Sequence, residues 1–137
     1  MPNRQTHVTV AVVAGVAASL HYTRNERPED RAVELLGTLI GSYVGGRLPD
    51  VLDPPISPLH RSFAHGGLAV AGVAAARVEE WCRACRHDAA LCAAQGRSGD
   101  RVLLLLLAGF LTGLRFGYGS HLALDFFTRQ RLPLLGR

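Results

Sequence analysis

Apolar positions fall in four blocks divided by polar punctuation. The first, residues 7–21, is apolar from Val8 to Leu20, with Ala11, Gly15 and Ala18 as a ridge of small residues at helical spacing. A polar connection containing Pro28 leads to the second block, residues 29–46, where Gly37, Gly41 and Gly45 recur every fourth position. Glycine costs a helix about 1 kcal/mol relative to alanine, so three in register mark the close approach of another backbone. The third block, residues 66–80, is rich in alanine and glycine. Residues 81–100 are polar, WCRACRHD and then QGRSGD, and are expected to form a connection ending in an N-cap at Ser98 or Asp100. The fourth block, residues 101–128, is the longest and repeats the spacing with Gly109, Gly113 and Gly117. No strand alternation competes anywhere. The pattern predicts one all-α domain over residues 1–137, a compact antiparallel four-helix bundle.

Between the second and third blocks lies LPDVLDPPISPLHRSFAHG, Leu48 to Gly66. Pro49, Pro54, Pro55 and Pro58 lack the N–H that a helix requires and clash with the preceding turn. A stiff proline-rich loop is therefore expected, carrying Asp50, Asp53, His60, Arg61 and His65. Long irregular loops inside small domains are usually functional. Near the end of the fourth block, GYGSHLALDFFT places His121 and Asp125 one turn apart on a single helix face.

Antiparallel connectivity then sorts the polar residues. The start of the first helix, the end of the second, the loop, the start of the third and the end of the fourth all share one end of the bundle. His7, Asp50, Asp53, His60, His65, His121 and Asp125 gather there, while His21 and His87 fall at the other end. Imidazole and carboxylate are the ligands of zinc and related metals. One or two Zn2+ or similar divalent ions are expected, held by His7, Asp50, His60, His65, His121 and Asp125. A Ser120–His121–Asp125 triad is set aside, because adjacent helical side chains point about 100° apart. Cys82-x-x-Cys85-x-His87 with Cys92 matches no common zinc spacing and has no βαβ context for redox work, so the thiols are read as incidental.

Composition narrows the partners. The hydrophobic fraction is 48 %, the charged fraction 19 % and the formal net charge +4. All 15 basic residues are arginine, which removes any Schiff-base lysine. The arginines are scattered, so no specific nucleic-acid partner is expected, although an anionic phospholipid surface is allowed. Three cysteines argue against a disulfide framework. Val8–Leu20 could serve as a signal-peptide core, but a core helix is expected and no cleaved signal peptide. Val8–Leu20 and Val102–Leu114 each cover only about 20 Å of a roughly 30 Å hydrocarbon layer. The arginines, six at one end and eight at the other, give no positive-inside signal. A compact bundle, soluble or seated on a membrane, is favoured over four spans, with a cytoplasmic or inner-membrane-associated location.

LPDVLDPP followed by HRSFAHG, then GYGSHLALDFFT and RLPLL, resembles the YdjM-like group of membrane-associated metal-dependent hydrolases. The group's pattern is similar to PD-x-x-(D/E)-P, HR-x-x-x-H and GY-x-SH-x-x-x-D-x-x-T, with an early histidine opening the first helix as His7 does. The chain departs from it at Gly66, where a serine often follows the histidine, and WCRACRH has no counterpart. The group in turn looks distantly like the all-α zinc-dependent phospholipase C and P1-type nuclease enzymes. The resemblance implies hydrolysis of a small-molecule or lipid phosphoester, phospholipid or nucleotide-like, by a metal-activated water. Asp50 or Asp125 would bridge two ions. Asp53 is then the expected catalytic base or the carboxylate that orients an imidazole, and Arg61 is placed to meet a phosphate. The competing expectation is a non-enzymatic module that packs on a membrane or a protein and holds a structural metal. A structural zinc is closed by four protein ligands, whereas a catalytic one keeps a position for water.

Overall fold

The computed structural model describes residues 4–52 and 60–129, with side chains for 5–51, 74–124 and 127. The elements are four helices: α1 (Arg4–Tyr22), α2 (Pro28–Leu52), α3 (His60–Ala94) and α4 (Ser98–Arg129). No strand occurs among the described residues. Pro28 opens α2, where a missing N–H does no harm. The α3–α4 turn is a Schellman motif. Gly96 takes a φ of 72°, its N–H reaches the Ala93 carbonyl at 3.2 Å, and the Arg97 N–H reaches Cys92 at 2.9 Å.

Two expectations are corrected. Pro49 and Asp50 do not lie in a loop, because α2 runs through Pro49 to Leu52. The proline deprives only the Gly45 carbonyl of its donor, and it does so in the final turn, where little helix remains to be disturbed. His60, Arg61 and His65 are not in a loop either, because α3 opens at His60 rather than near Gly66; Asp53 and the other prolines of the expected loop lie outside the described residues. Residues 81–94 are not a connection either, since α3 is continuous across WCRACRHD. Cys82, Ala89 and Cys92 are buried on one face, while Trp81, Arg83, His87 and Asp88 are exposed. The buried positions recur every three to seven residues, as on any amphipathic helix, but small residues and thiols occupy them.

α4 is the hub and packs on each of the other three helices. Its partner along the greatest length is α2, and the two run parallel. Gly37, Gly41 and Gly45 face the backbone of Leu106, Phe110 and Leu114, while Gly109, Gly113 and Gly117 face the backbone of Glu34, Thr38 and Ser42. A Cβ built on Gly41 would lie 2.8 Å from the Phe110 carbonyl carbon, and one on Gly109 would lie 2.8 Å from that of Glu34. Those obstacles are main chain and cannot rotate away. The two glycine rows read from the sequence are therefore the two halves of one backbone-to-backbone seam. α1 runs antiparallel to α4, with His7 against His121 and Gly15 near the Gly113 Cα. α3 is also antiparallel to α4, with Glu79 reaching Arg115 and Cys82 lying against Ala108.

The interior is made of small and polar groups. The largest fully buried side chains are His121, Glu34, Thr23, Thr38, Ser19 and Ser42. Hydroxyls of Thr23, Thr38 and Thr112 satisfy themselves on the carbonyl one turn back. Large apolar side chains instead face outward: Val13, Leu36, Ile40, Val51, Leu103 and Phe127. Bundles in water show the reverse, whereas helices in lipid associate through small residues and interior polar contacts. α1, at 19 residues, is about 28 Å long, well beyond the 13-residue apolar run inside it. Ser98–Leu124 of α4 is long and apolar enough to cross a membrane.

Candidate functional site

Three helix ends build the site. The first turns of α1 supply His7, the last turns of α2 supply the Gly46 carbonyl and Asp50, and the end of α4 supplies His121. Both histidines are buried, His121 at 1 % exposure, while the Asp50 side chain is 41 % exposed. The two imidazoles stack with centroids 4.2 Å apart and planes tilted by 31°. His121 Nδ1 lies 2.6 Å from the Gly46 carbonyl oxygen. A carbonyl only accepts, so Nδ1 is the donor and carries the proton. His121 Nε2 stands 3.4 Å from Asp50 Oδ1. On the neutral ring Nε2 is an acceptor facing a carboxylate oxygen, an arrangement that calls for something positive between them: a proton on the ring or a cation.

Local sequence explains the geometry. Gly46 has no side chain to hold α1 away, and a Cβ there would lie 2.6 Å from that of Ala11. Gly117, one turn before His121, brings α4 onto the same turn of α2, where a Cβ would lie 3.1 Å from the Gly46 nitrogen. On the solvent side of that turn, Arg47 lies over the Tyr43 ring and donates to its hydroxyl at 2.5 Å.

Of the residues expected from sequence, the structure brings together His7, Asp50 and His121. His60 and His65 fall on the first turns of α3 and Asp125 on the last turns of α4, but their side chains, with Arg61 and Asp53, lie outside the described residues. Among the described residues no three of His, Cys, Asp and Glu converge closely enough to hold a metal by themselves. Cys82, Cys85 and His87 do not converge, since Cys82 faces the α4 interface and His87 is exposed.

Sequence reasoning missed a second polar centre, deep between α2, α3 and α4. Glu34 is 1 % exposed and receives Arg86 through Nε at 3.0 and 3.2 Å and through Nη2. Arg86 Nη2 also reaches Thr112 Oγ1 at 3.1 Å, and its guanidinium lies 5.3 Å from the Tyr22 ring centroid. The available signal was a glutamate one turn before Thr38, on the same helix face as Gly37 and Gly41.

The family model for YdjM inner membrane proteins matches residues 1–136. The chain belongs to that family. No curated protein and no solved structure matches it. Membership in this inner membrane family makes the protein membrane-associated, in keeping with the outward apolar side chains of α1, α2 and α4. It also explains why glycine, serine and threonine, rather than leucine, fill the interior.

Proposed function

We propose that this YdjM-family protein is a membrane-embedded, metal-dependent hydrolase of a phosphoester, phospholipid or nucleotide-like, acting at the His7–Asp50–His121 end of the bundle. The observation that carries the reading is the locked His121 ring. The Gly46 carbonyl fixes the proton on Nδ1 and aims the Nε2 lone pair at Asp50, as a partner behind a metal-binding histidine does. The 3.4 Å between Nε2 and Oδ1 is about the edge that two ligands at 2.0–2.2 Å span across a tetrahedral ion. His121 and Asp50 would hold the ion, with His7, His60, His65 and Asp125 as further ligands. A divalent ion held there would supply hydroxide at neutral pH by lowering the pKa of a bound water to about 7.

The remaining roles belong to the chain. Asp53 accepts a proton from the attacking water or orients an imidazole, and Arg61 meets the phosphate with its planar fork. Burial of both imidazoles keeps bulk water from competing for the ion, while Asp50, half exposed, marks the open side. The test is elemental analysis of protein purified in detergent without chelator, beside a hydrolysis screen on phosphodiesters and phospholipids. At least one equivalent of a transition metal and a metal-dependent hydrolysis are expected. Folded protein without metal would overturn the reading. Tight metal with no hydrolysis across the screen would favour a structural metal in a non-enzymatic module.

A further inference from the structure

Away from the His121 end, a cavity of about 140 Å3 opens where the end of α1 meets α3 and α4. Its walls are the Tyr22 and Phe116 rings, 6.3 Å apart, with Cys82 and Thr112 behind them. Three guanidiniums, Arg83, Arg86 and Arg115, face it together with Glu79. Glu79 is shared, at 2.9 Å from Arg115 through Oε2 and bonded to Arg83 through Oε1. Arg86 spends its Nε and Nη2 on Glu34 and Thr112. The nearby Arg77 and Glu80 pair with each other at 3.0 Å on the outer surface.

Three arginines thus meet two carboxylates, and the surplus positive charge falls on Arg83 at the mouth of an aromatic-walled space. Arg86 and Arg115 are only 22 % and 24 % exposed. Both have their own carboxylate, Arg86 in Glu34 and Arg115 in Glu79, and an ion pair built merely to fasten α3 to α2 would need Glu34 and Arg86 alone. Arg86 Nη1 makes none of the hydrogen bonds above, and each guanidinium has five N–H donors, more than the shared Glu79 can engage. A cavity of this volume accommodates a benzene-sized guest, which suits a phosphate-sized group.

We propose that this cavity is an oxyanion subsite that takes the phosphate of an anionic ligand, either a phospholipid head group or free phosphate. Arg83, 73 % exposed, stands at the mouth and makes first contact. Arg86 and Arg115 close on the oxygens from within, and Thr112 fixes the Arg86 fork. The subsite is separate from the metal end and stands whether or not that end is hydrolytic.

The test uses the full chain in neutral detergent micelles, with binding read by native mass spectrometry and by thermal melting. Three additives are compared at fixed ionic strength: inorganic phosphate, phosphatidylglycerol and phosphatidylcholine. Retention and a raised melting temperature with phosphate alone identify a free-phosphate site. The same response to phosphatidylglycerol but not to phosphatidylcholine, whose phosphate is neutralised by its own choline cation, identifies the phosphate of an anionic lipid. Because Arg83 is exposed, Arg83→Gln folds normally and should weaken binding by about tenfold or more, as expected when a hydrogen bond to a charged group is lost. Arg83→Lys should recover part of it. Equal responses to the two lipids, no response to any additive, or an unaltered response in the Arg83→Gln, Arg115→Gln double variant would overturn the proposal.

Discussion

The seam between α2 and α4 sets the position of the His121 ring, and Gly117→Ala tests that link most directly. A Cβ on Gly117 would lie 2.7 Å from the Ser42 carbonyl oxygen and 3.1 Å from the Gly46 nitrogen. Ordinary contact begins near about 3.5 Å, so α2 must retreat by several tenths of an ångström at the turn whose Gly46 carbonyl holds His121. That bond starts at 2.6 Å and would lengthen to the outer edge of the usual range of about 2.7–3.2 Å. Overpacking of this kind costs about 1–3 kcal/mol, and the weakened hydrogen bond about 1 kcal/mol more. The better helix propensity of alanine returns up to about 1 kcal/mol. The net loss is about 1–3 kcal/mol. Gly119→Ala is the matched control, because nothing lies within 4 Å of its added carbon. It gains the propensity term alone and should melt slightly higher than wild type. Melting in detergent micelles measures the stability, and nitrogen NMR of the His121 ring reads whether Nδ1 still holds the proton. If Gly117→Ala melts as high as Gly119→Ala with the Nδ1–H resonance unmoved, the seam does not position the ring.

His121→Ala should lose bound metal and with it thermal stability, since a ligand bound to the native state stabilises it by RT ln(1 + [L]/Kd); metal titration and melting check this. Asp53→Asn should keep metal, with affinity weakened about 10–100-fold, and lose most phosphoesterase activity, because an amide cannot take a proton. Loss of metal as complete as in His121→Ala would make Asp53 a ligand. Replacing Cys82 and Cys85 by serine should leave metal content and helicity nearly unchanged, and loss of a full equivalent by elemental analysis would assign those thiols a site. Glu34→Leu should destabilise by about 3–5 kcal/mol by stranding the Arg86 charge, and adding Arg86→Met should restore much of it; melting of the single and double variants measures the recovery.

Much of the fold was legible because glycine spacing carries geometric information. Gly37, Gly41 and Gly45 announced a close backbone approach, as did Gly109, Gly113 and Gly117, and each row proved to be the other's partner. The gathering of His7, Asp50 and His121 followed from chain direction alone. Pro49 was misread because the proline rule speaks of helix interiors, whereas a last turn has little left to lose. The α3 segment was misread because its buried face is written in cysteine and alanine, which a scan for large apolar residues passes over. Glu34 and Arg86 stayed hidden for another reason. They are 52 residues apart in the chain, and no local pattern pairs a glutamate on one helix with an arginine on another.

The position of α4 as hub bears on how the protein is made. α4 follows the other three helices in the chain, yet it covers the polar groups they carry. Until it packs, the glycine row of α2 lacks the backbone that closes on it. Glu34 finds its counter-charge on α3, in Arg86, and α4 adds the Thr112 hydroxyl to that pair. Arrival of α4 closes the seam and, in the same event, delivers His121 to Gly46 and Asp50. Completion of the bundle and completion of the site are then one step, and a chain arrested before its last helix carries neither.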